Sequence, residues 1–552
     1  MRSIRKTSAS ALIVALALAA CNGPERGPKY KAAGRTAPYR GGTLHFSIID
    51  GVRTLDPTIA YDEYSIYALH YMCDTLIGYK SATAGKGTEL VPQLAERWSV
   101  SDDGKVYTFW LRKGVTFSDG QPLVAGDFKY AIERVLTSPA SPFIQFLVGI
   151  EGAQALVDKK ATSLSGLKII DDHRLEFHLV EPDASFPMIL AMKMATPQKR
   201  SHVEAAGKNI RRDVLCTGPF TLASWNEGVE MVFDRNPRYW DKKLPYLDRL
   251  DMLTNVPRDT AFLKFESGEL DTVDRPSSAD FVWIAARPEW KPYIFNVPSM
   301  NTYGERMNTR VKPFDDKRVR QALNYAVNKQ HYIKLRNGRG VIAHGILPPM
   351  MPGYDKTLKP YPYDPDKARK LLADAGYPNG FSVTYACLKD PQAEKLAQSL
   401  QADLKNVGID MTIELMSFPT YLETTGKPDG SPFSYGAWLM DYPDPSNFTD
   451  VKFHSRMIAE KNSNNDSFYS NPVLDKMLDA AKRETNQKMR WQMYHKIERL
   501  LFDEAPWVWT YHSNFVEVRQ PYVKNYRPHP VWARDYREAW LDLDKNGKRV
   551  RR

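Results

Sequence analysis

Cysteine is scarce in this chain: its 552 residues hold 4, at positions 21, 73, 216 and 387. No two form a C-x-x-C pair, so a zinc cluster or a thioredoxin-like redox motif has no ligands to build on. Beyond the N-terminal segment no stretch approaches the roughly 18 consecutive apolar residues of a membrane span, so the chain forms no channel of its own. G-x-S-x-G, G-x-x-x-x-G-K-[ST] and H-E-x-x-H are all absent, which removes the commonest signatures of serine hydrolases, P-loop nucleotide enzymes and zinc proteases. The 11 histidines include no i, i+4 pair, and no metal or cofactor is expected. Charge of one sign is only mildly in excess, 76 Lys and Arg against 65 Asp and Glu. Lys-Arg-Val-Arg-Arg at 548–552 supplies part of it, which reads as a solvated tail and not as a nucleic-acid face. What is present is an ordinary globular composition, 43% hydrophobic and 26% charged. At about 100 to 200 residues per domain, this length predicts three to five domains or fewer large ones.

Arg2, Arg5 and Lys6 precede an apolar run from Ala11 to Ala20, the pattern of a secretory signal too short to span a bilayer. Leu18-Ala19-Ala20-Cys21 follows and resembles the lipobox of bacterial lipoproteins, which implies cleavage before Cys21 and acylation of its thiol. The expectation is an exported protein tethered through Cys21, on the periplasmic face of the envelope or the outer face of the cytoplasmic membrane. Residues 22–40 carry three Gly, three Pro and five basic residues, a flexible-stalk composition, so folding is expected to start near Gly41. Cys73, Cys216 and Cys387 permit at most one intrachain disulfide, and the pairing stays open. A remaining free thiol reads as a small buried hydrophobe.

The N-terminal half reads as strand-rich. Thr43 to Ile49 is a short apolar run, and Asp102-Asp103-Gly104 before Val106 to Leu111 signals a hairpin. The C-terminal half alternates helices and strands. Asp364 can cap a helix with Pro365 in its first turn and Gly376 at its stop. Asp390-Pro391 opens another, with Ala393, Leu396, Ala397, Leu400 and Leu404 on one face. Flanked by Phe381 to Ala386 and by Ile409 to Leu415, it reads as a βαβ unit. A further helix carries Val319, Ala322, Leu323 and Ala326 after Pro313-Phe314-Asp315. Trp507 to His512 and Asn514 to Arg519 read as two strands.

Ser434-Tyr435-Gly436-Ala437-Trp438-Leu439-Met440-Asp441-Tyr442-Pro443-Asp444-Pro445 admits three readings. It is a Pro-rich surface loop capped by its acids, a glycosidase-like pair in Asp441 and Asp444 beside a sugar-stacking Trp, or a strand edge for an extended ligand. In the last, exposed backbone pairs with the ligand, the indole packs on it and the carboxylate meets an ammonium.

Several collinear stretches resemble the family 5 extracellular solute-binding proteins, the peptide- and nickel-type receptors of bacterial ABC importers. They are Gly42-Thr-Leu, Thr54-Leu-Asp-Pro57, Leu94 to Trp98, Phe109 to Gly120, Asp127-Phe128, Thr217-Gly-Pro-Phe220, Arg235 to Trp240, Val319-Arg-Gln-Ala322, and Asp441-Tyr-Pro-Asp-Pro445. The resemblance implies an α/β, two-lobed periplasmic-binding-protein-like fold of type II with an extra N-terminal subdomain and a ligand cleft between the lobes. The division it suggests is 41–58, 214–300 and 520–552 for lobe I, 59–213 for the extra subdomain and 301–519 for lobe II. The crossings would lie near 300 to 308 and 513 to 520.

The resemblance further implies a monomer that captures di- to oligopeptides, without chemistry on them, and hands them to permease subunits driven by cytoplasmic ATPases. A nickel chelate, haem or oligosaccharide ligand is the alternative within the class. Carried over residue by residue, Asp441 binds the peptide ammonium, Trp438 walls the cleft, and Ala437 and Leu439 pair through their backbone. Tyr303 is a further cleft candidate. Some oligopeptide receptors carry an Arg three residues before this Trp to take the ligand carboxylate. Here that position is Tyr435, and Lys427, Lys334 and Arg336 are the candidates to replace it.

Overall fold

The computed structural model describes residues 27–552, so the export signal and Cys21 lie outside the described residues. One lobe carries a four-stranded sheet in the spatial order Thr43–Ser47, Arg249–Leu253, Glu230–Arg235 and Phe220–Asn226. Beside it a second four-stranded sheet, Ala95–Val100, Val106–Leu111, Arg174–His178 and Leu167–Asp171, is covered by helix Ala125–Thr137. Its core includes Phe109, Phe128, Ile132, Leu175 and Phe177, and the hairpin turns at Gly104 with φ +71°, as the turn signal predicts. Helices Glu63–Met72 and Ala125–Thr137 interrupt what reads from sequence as a strand-rich half.

An eight-stranded sheet runs from this lobe into the other. Its main path runs Thr272–Asp274, Trp507–Arg519, Asn301–Met307, Phe433–Leu439, Ser382–Leu388 and Asp410–Met416, and Ile294–Pro298 and Gly340–Ile342 also pair with the long strand. Where the sequence suggests two strands there is one of 13 residues, Trp507–Arg519. Its partner is Gly340–Ile342 as far as Ser513 and Ile294–Pro298 from Asn514 onward. The strand therefore belongs to both lobes, and its side chains, Trp507, Val508, Trp509, Tyr511, Val516 and Val518 among them, are buried on both faces. A strand covered on both faces shows no alternation, so the sequence gives no sign of its continuity. On the neighbouring segment, Ile294–Pro298 pairs with the long strand from Asn514 onward, and Asn301–Met307 pairs with Phe433–Leu439 in the same eight-stranded sheet.

The βαβ unit forms as the periodicity predicts. Ser382–Leu388 and Asp410–Met416 pair in parallel, and helix Pro391–Lys405 starts where the Asp390 carboxylate accepts the N–H groups of Gln392 and Ala393. Helix Pro365–Asp374 is capped by Asp364. Helix Lys317–Ala326 is capped by Asp316, one residue beyond the expected entry.

Residues 27–40 depart from the flexible stalk that their composition suggests. Tyr30–Lys31 pairs antiparallel with Val550–Arg551, and Tyr30 meets Tyr522 edge-on at 5.9 Å. Asp542 accepts the N–H groups of Gly34 and Arg35, each at 3.0 Å. The basic run at 548–552 is held by the same pairing, with Arg549 at 2.9 Å from Asp271, and is not a free tail. Composition misses both because backbone pairing and buried carboxylate acceptors need little apolar side chain.

Among the described residues no helix is long and apolar enough to cross a membrane. Cys73 and Cys216 form a disulfide that pins the end of helix Glu63–Met72 to the segment entering strand Phe220–Asn226, and Cys387 is free and buried. Closing a separation of 143 residues contributes up to about 5 kcal/mol in the chain-entropy account. Replacing both residues by Ser, or reducing the native protein, is expected to lower the thermal midpoint by similar amounts in circular dichroism. Cys387, its thiol pushed up to about 12 by burial, is expected to resist thiol reagents until the protein unfolds.

Candidate functional site

The strand Phe433–Leu439 positions the site. On one side it pairs with Asn301–Met307 along its whole length, but on the other Ser382–Leu388 reaches only Phe433 and Ser434. Met440 N–H donates to Met300 O and Asn308 N–H to Pro432 O, so the even-numbered residues bond across this antiparallel pair. The N–H and C=O groups of Tyr435, Ala437 and Leu439 therefore point to the open side. Tyr435 O is taken by Arg306 Nη2 at 2.7 Å and by the Tyr421 hydroxyl. Ala437 and Leu439 keep theirs free among the described residues, facing a cavity of about 1850 Å³ that both line. Gly436 stands opposite Gly304, where a Cβ would come within 2.8 Å of the Arg306 side chain and 2.9 Å of Gly304 O. Glycine there lets Arg306 cross beneath the strand.

Asp441 follows the strand and lines the same cavity. Asn447, buried on helix Ser446–Phe453, accepts the Asp441 N–H at 2.9 Å, donates to Asp441 Oδ2 at 2.9 Å and holds Trp438 Nε1 at 3.3 Å. One amide thus fixes both the carboxylate and the indole. Across the cavity the Tyr61 hydroxyl donates to Asp441 Oδ1 at 2.7 Å. Burial raises the Asp441 pKa above the ordinary carboxylate value against these two side-chain hydrogen bonds, and no cation contributes. The site holds a partly desolvated carboxylate that lacks a counter-ion.

Asp444 is placed differently. It is 0% exposed, accepts from Ser446 N–H and Oγ, and is bidentate with Arg490 at 2.5 and 2.7 Å. The guanidinium holds its pKa below the usual range despite burial. The Asp441 and Asp444 pair read as glycosidase-like is therefore a cleft carboxylate and a buried structural ion pair, because the Pro-flanked turn sends the second acid into the core.

Tyr303 lies in the cleft, stacked on Tyr511 with centroids 4.8 Å apart, and Tyr435 is 6.1 Å away. Of the three cations considered as replacements for an Arg at 435, only Arg336 reaches the cavity. Lys334 is exposed outside it, and Lys427 pairs with Glu423 at 2.8 Å. Tyr61, Arg339 and the ion pair Arg275–Glu63, at 2.8 Å, also line the cleft and carried no sequence signal, being isolated side chains on irregular turns and helix starts. Lys452, 5.0 Å above the Trp438 ring, is paired with Asp466 at 2.7 Å.

An unpaired strand edge, an aromatic wall and a carboxylate without a cationic partner thus meet in one cleft between two lobes. Residues 89–459 match the model described as bacterial extracellular solute-binding proteins, family 5 Middle, and the chain belongs to that family. It is similar to the dipeptide-binding protein of Escherichia coli (strain K12), 31% identical over 489 residues covering 85% of this chain and 88% of that one. It is also similar to heme-binding protein A of Haemophilus influenzae, 29% identical over 84% of this chain and 85% of that one. The solved ABC transporter-associated periplasmic binding protein DppA from Helicobacter pylori, in complex with the peptide STSA, superposes with a TM-score of 0.76 at 28% identity, covering 91% of this chain and 99% of that one.

The two acids are expected to separate cleanly on mutation. Asp444→Asn leaves Arg490 buried and unpaired and should cost about 3–5 kcal/mol of stability in denaturant unfolding. Asp441→Asn removes a carboxylate that burial already disfavours and should leave stability unchanged or slightly raised.

Proposed function

We propose that this chain is the extracytoplasmic receptor of an ABC importer, capturing di- to oligopeptides by lobe closure and delivering them to a membrane permease with cytoplasmic ATPases. The lobes that close are 41–58, 214–300 and 520–552 with the subdomain 59–213, against 301–519. The receptor is tethered to the envelope through Cys21, on the grounds of Leu18-Ala19-Ala20-Cys21 alone, and its monomeric state is an expectation from the family resemblance.

One observation carries the peptide reading: the free N–H and C=O groups of Ala437 and Leu439 lie in the cleft beside the unpaired carboxylate of Asp441. A ligand with its own alternating donors and acceptors satisfies that edge as an added strand, and its α-ammonium gives Asp441 the positive charge that the neutral hydroxyl of Tyr61 does not. Haem, a sugar or a nickel chelate lacks donors and acceptors alternating at the spacing of a backbone, so the edge groups would be left to water instead of pairing along the strand. Backbone pairing is indifferent to side-chain identity, so broad sequence tolerance follows. Trp438 and Tyr303 supply apolar walls, and the volume of about 1850 Å³ leaves room for side chains and water. Closure is stabilised because ligand contacts from both lobes exist together only in the closed state.

Asp441→Asn is expected to weaken binding of a free-amino peptide such as trialanine by about 2–5 kcal/mol in calorimetry. Unchanged affinity would remove the ammonium role. Affinity for the same peptide should fall as the solution is acidified through the raised pKa of Asp441, beginning above the usual carboxylate value of about 3.9. It should be regained as pH rises, since only the ionised carboxylate attracts the ammonium.

A further inference from the structure

The segments 27–40 and 541–552, far apart in sequence, meet on the first lobe and gather charge of one sign there. Tyr30 packs edge-on against Tyr522 and over Gly268, where any Cβ would strike its ring. Asp542 accepts the N–H groups of Gly34 and Arg35, and the Arg35 side chain donates to Leu543 O at 2.9 Å and Asp544 O at 3.0 Å. Arg549 reaches inward to Asp271. The ribbon is closed by the pairing of Tyr30–Lys31 with Val550–Arg551 and by the Arg552 N–H, which donates to Lys29 O at 3.1 Å. These contacts use two of the arginines and leave other cations outside. Lys31, Lys545, Lys548, Arg551 and Arg552 are exposed, and Lys29 is half-buried with its ammonium at 3.1 Å from Ser267 O.

Among the described residues none of these six cations forms an ion pair, because the acids around them are engaged elsewhere. Asp271 is taken by Arg549, Glu269 by Lys264 at 2.6 Å, and Asp544 by the N–H groups of Asn546 and Lys548, each at 2.8 Å. Glu289, exposed beside Gly27, offsets one charge of the six. The whole chain carries a net charge of +11, so this small area concentrates a large share of the excess. Backbone pairing holds the cations side by side against their mutual repulsion, an arrangement that a polyanionic surface relieves.

The position of Cys21 says which polyanion is near. Residues 22–26 separate it from Gly27, and a fully extended chain from Cys21 to Gly27 spans at most about 22 Å. A body beginning at Gly41 would stand up to about 70 Å away by the same bound, far beyond the roughly 8 Å over which charges act at physiological salt. We propose that Lys29, Lys31, Lys545, Lys548, Arg551 and Arg552 form a membrane-docking face that lies on anionic phospholipid headgroups beside the anchor. The inference rests on the Cys21 reading above for its placement. Basic side chains clustered next to an acyl anchor each add affinity for an anionic leaflet, and the two signals reinforce one another. Every contact of the ribbon is to the first lobe, within 41–58, 214–300 and 520–552. Docking therefore moors that lobe at the bilayer and leaves 301–519 free to move when the cleft closes.

The test is flotation of the folded chain from Asn22, without an acyl group, on vesicles of phosphatidylcholine alone and of phosphatidylcholine with phosphatidylglycerol. The anionic vesicles should bind at least about tenfold more tightly than the neutral ones, and the difference should shrink as salt is raised. Lys31→Gln, Lys548→Gln, Arg551→Gln and Arg552→Gln together should abolish the preference. Lys159→Gln, Lys208→Gln, Lys405→Gln and Lys476→Gln together, equal in charge and exposed elsewhere, should keep it. If the first variant folds poorly, the unaltered protein decides, since anionic vesicles should shield Lys31 and Lys548 from acetylation and leave Lys208 and Lys476 reactive. Equal binding to both vesicles, or equal loss in both variants, overturns this proposal and leaves the Cys21 reading standing. Tighter binding to duplex DNA than to the anionic vesicles, lost in the first variant alone, assigns the face to a nucleic acid and overturns it as well. An unacylated Cys21 in protein extracted from membranes, read by mass spectrometry, overturns the anchor reading together with the placement argued from it.

Discussion

Buried N–H and C=O groups must find partners, and in this molecule one short stretch of strand has been denied them. Ser382–Leu388 turns away after Ser434, so Phe433–Leu439 has a neighbour on one side only where it enters the cleft. Much of the surrounding structure reads as support for that exposed edge. Arg306 and Tyr421 close off Tyr435 O, Asn447 locks Trp438 and Asp441, and paired glycines let the strands approach. An open edge on the outer surface would invite aggregation. Between two lobes the same edge is shielded, and pairing is left to whatever the lobes enclose.

The lobes communicate through the strand Trp507–Arg519. In the second lobe its hydrogen-bonding partners are Asn301–Met307 and Gly340–Ile342, and in the first they are Ile294–Pro298 and Thr272–Asp274. Beyond the crossing it carries Glu517, 0% exposed and pushed up to about 7 by burial, with Tyr526 donating to it and Arg534 nearby. Arg534 in turn pairs with Asp274, which also meets Arg275. Glu517 and Asp274 are thus both partnered within the first lobe. Asp441 in the cleft has no cation beside it.

The sequence made local structure legible wherever a single side chain decides it. Asp364, Asp390 and the turn at Gly104 act within three or four residues, and each is found as expected. The Trp438 to Asp441 segment stood out through resemblance, and its residues do line the cavity. Its neighbour Asp444 was not, since only the distant Arg490 makes it structural. Tyr61 meets Asp441, Cys73 meets Cys216, and Tyr30 meets Arg551 across hundreds of residues, and such contacts leave no periodic trace. Arg339 escaped for the same reason, since it becomes a cleft residue only when its turn is carried over the long strand by the pairing of Gly340–Ile342.

The most direct test of the account is native mass spectrometry of the purified protein before and after denaturation, which reads what the cleft has retained from its host. A heterogeneous set of short peptide masses, released only on unfolding, is the result expected from an edge that pairs with any backbone. A single non-peptide mass, such as a haem or a sugar, would contradict the assignment of the free strand edge and of Asp441 as the elements that select the ligand.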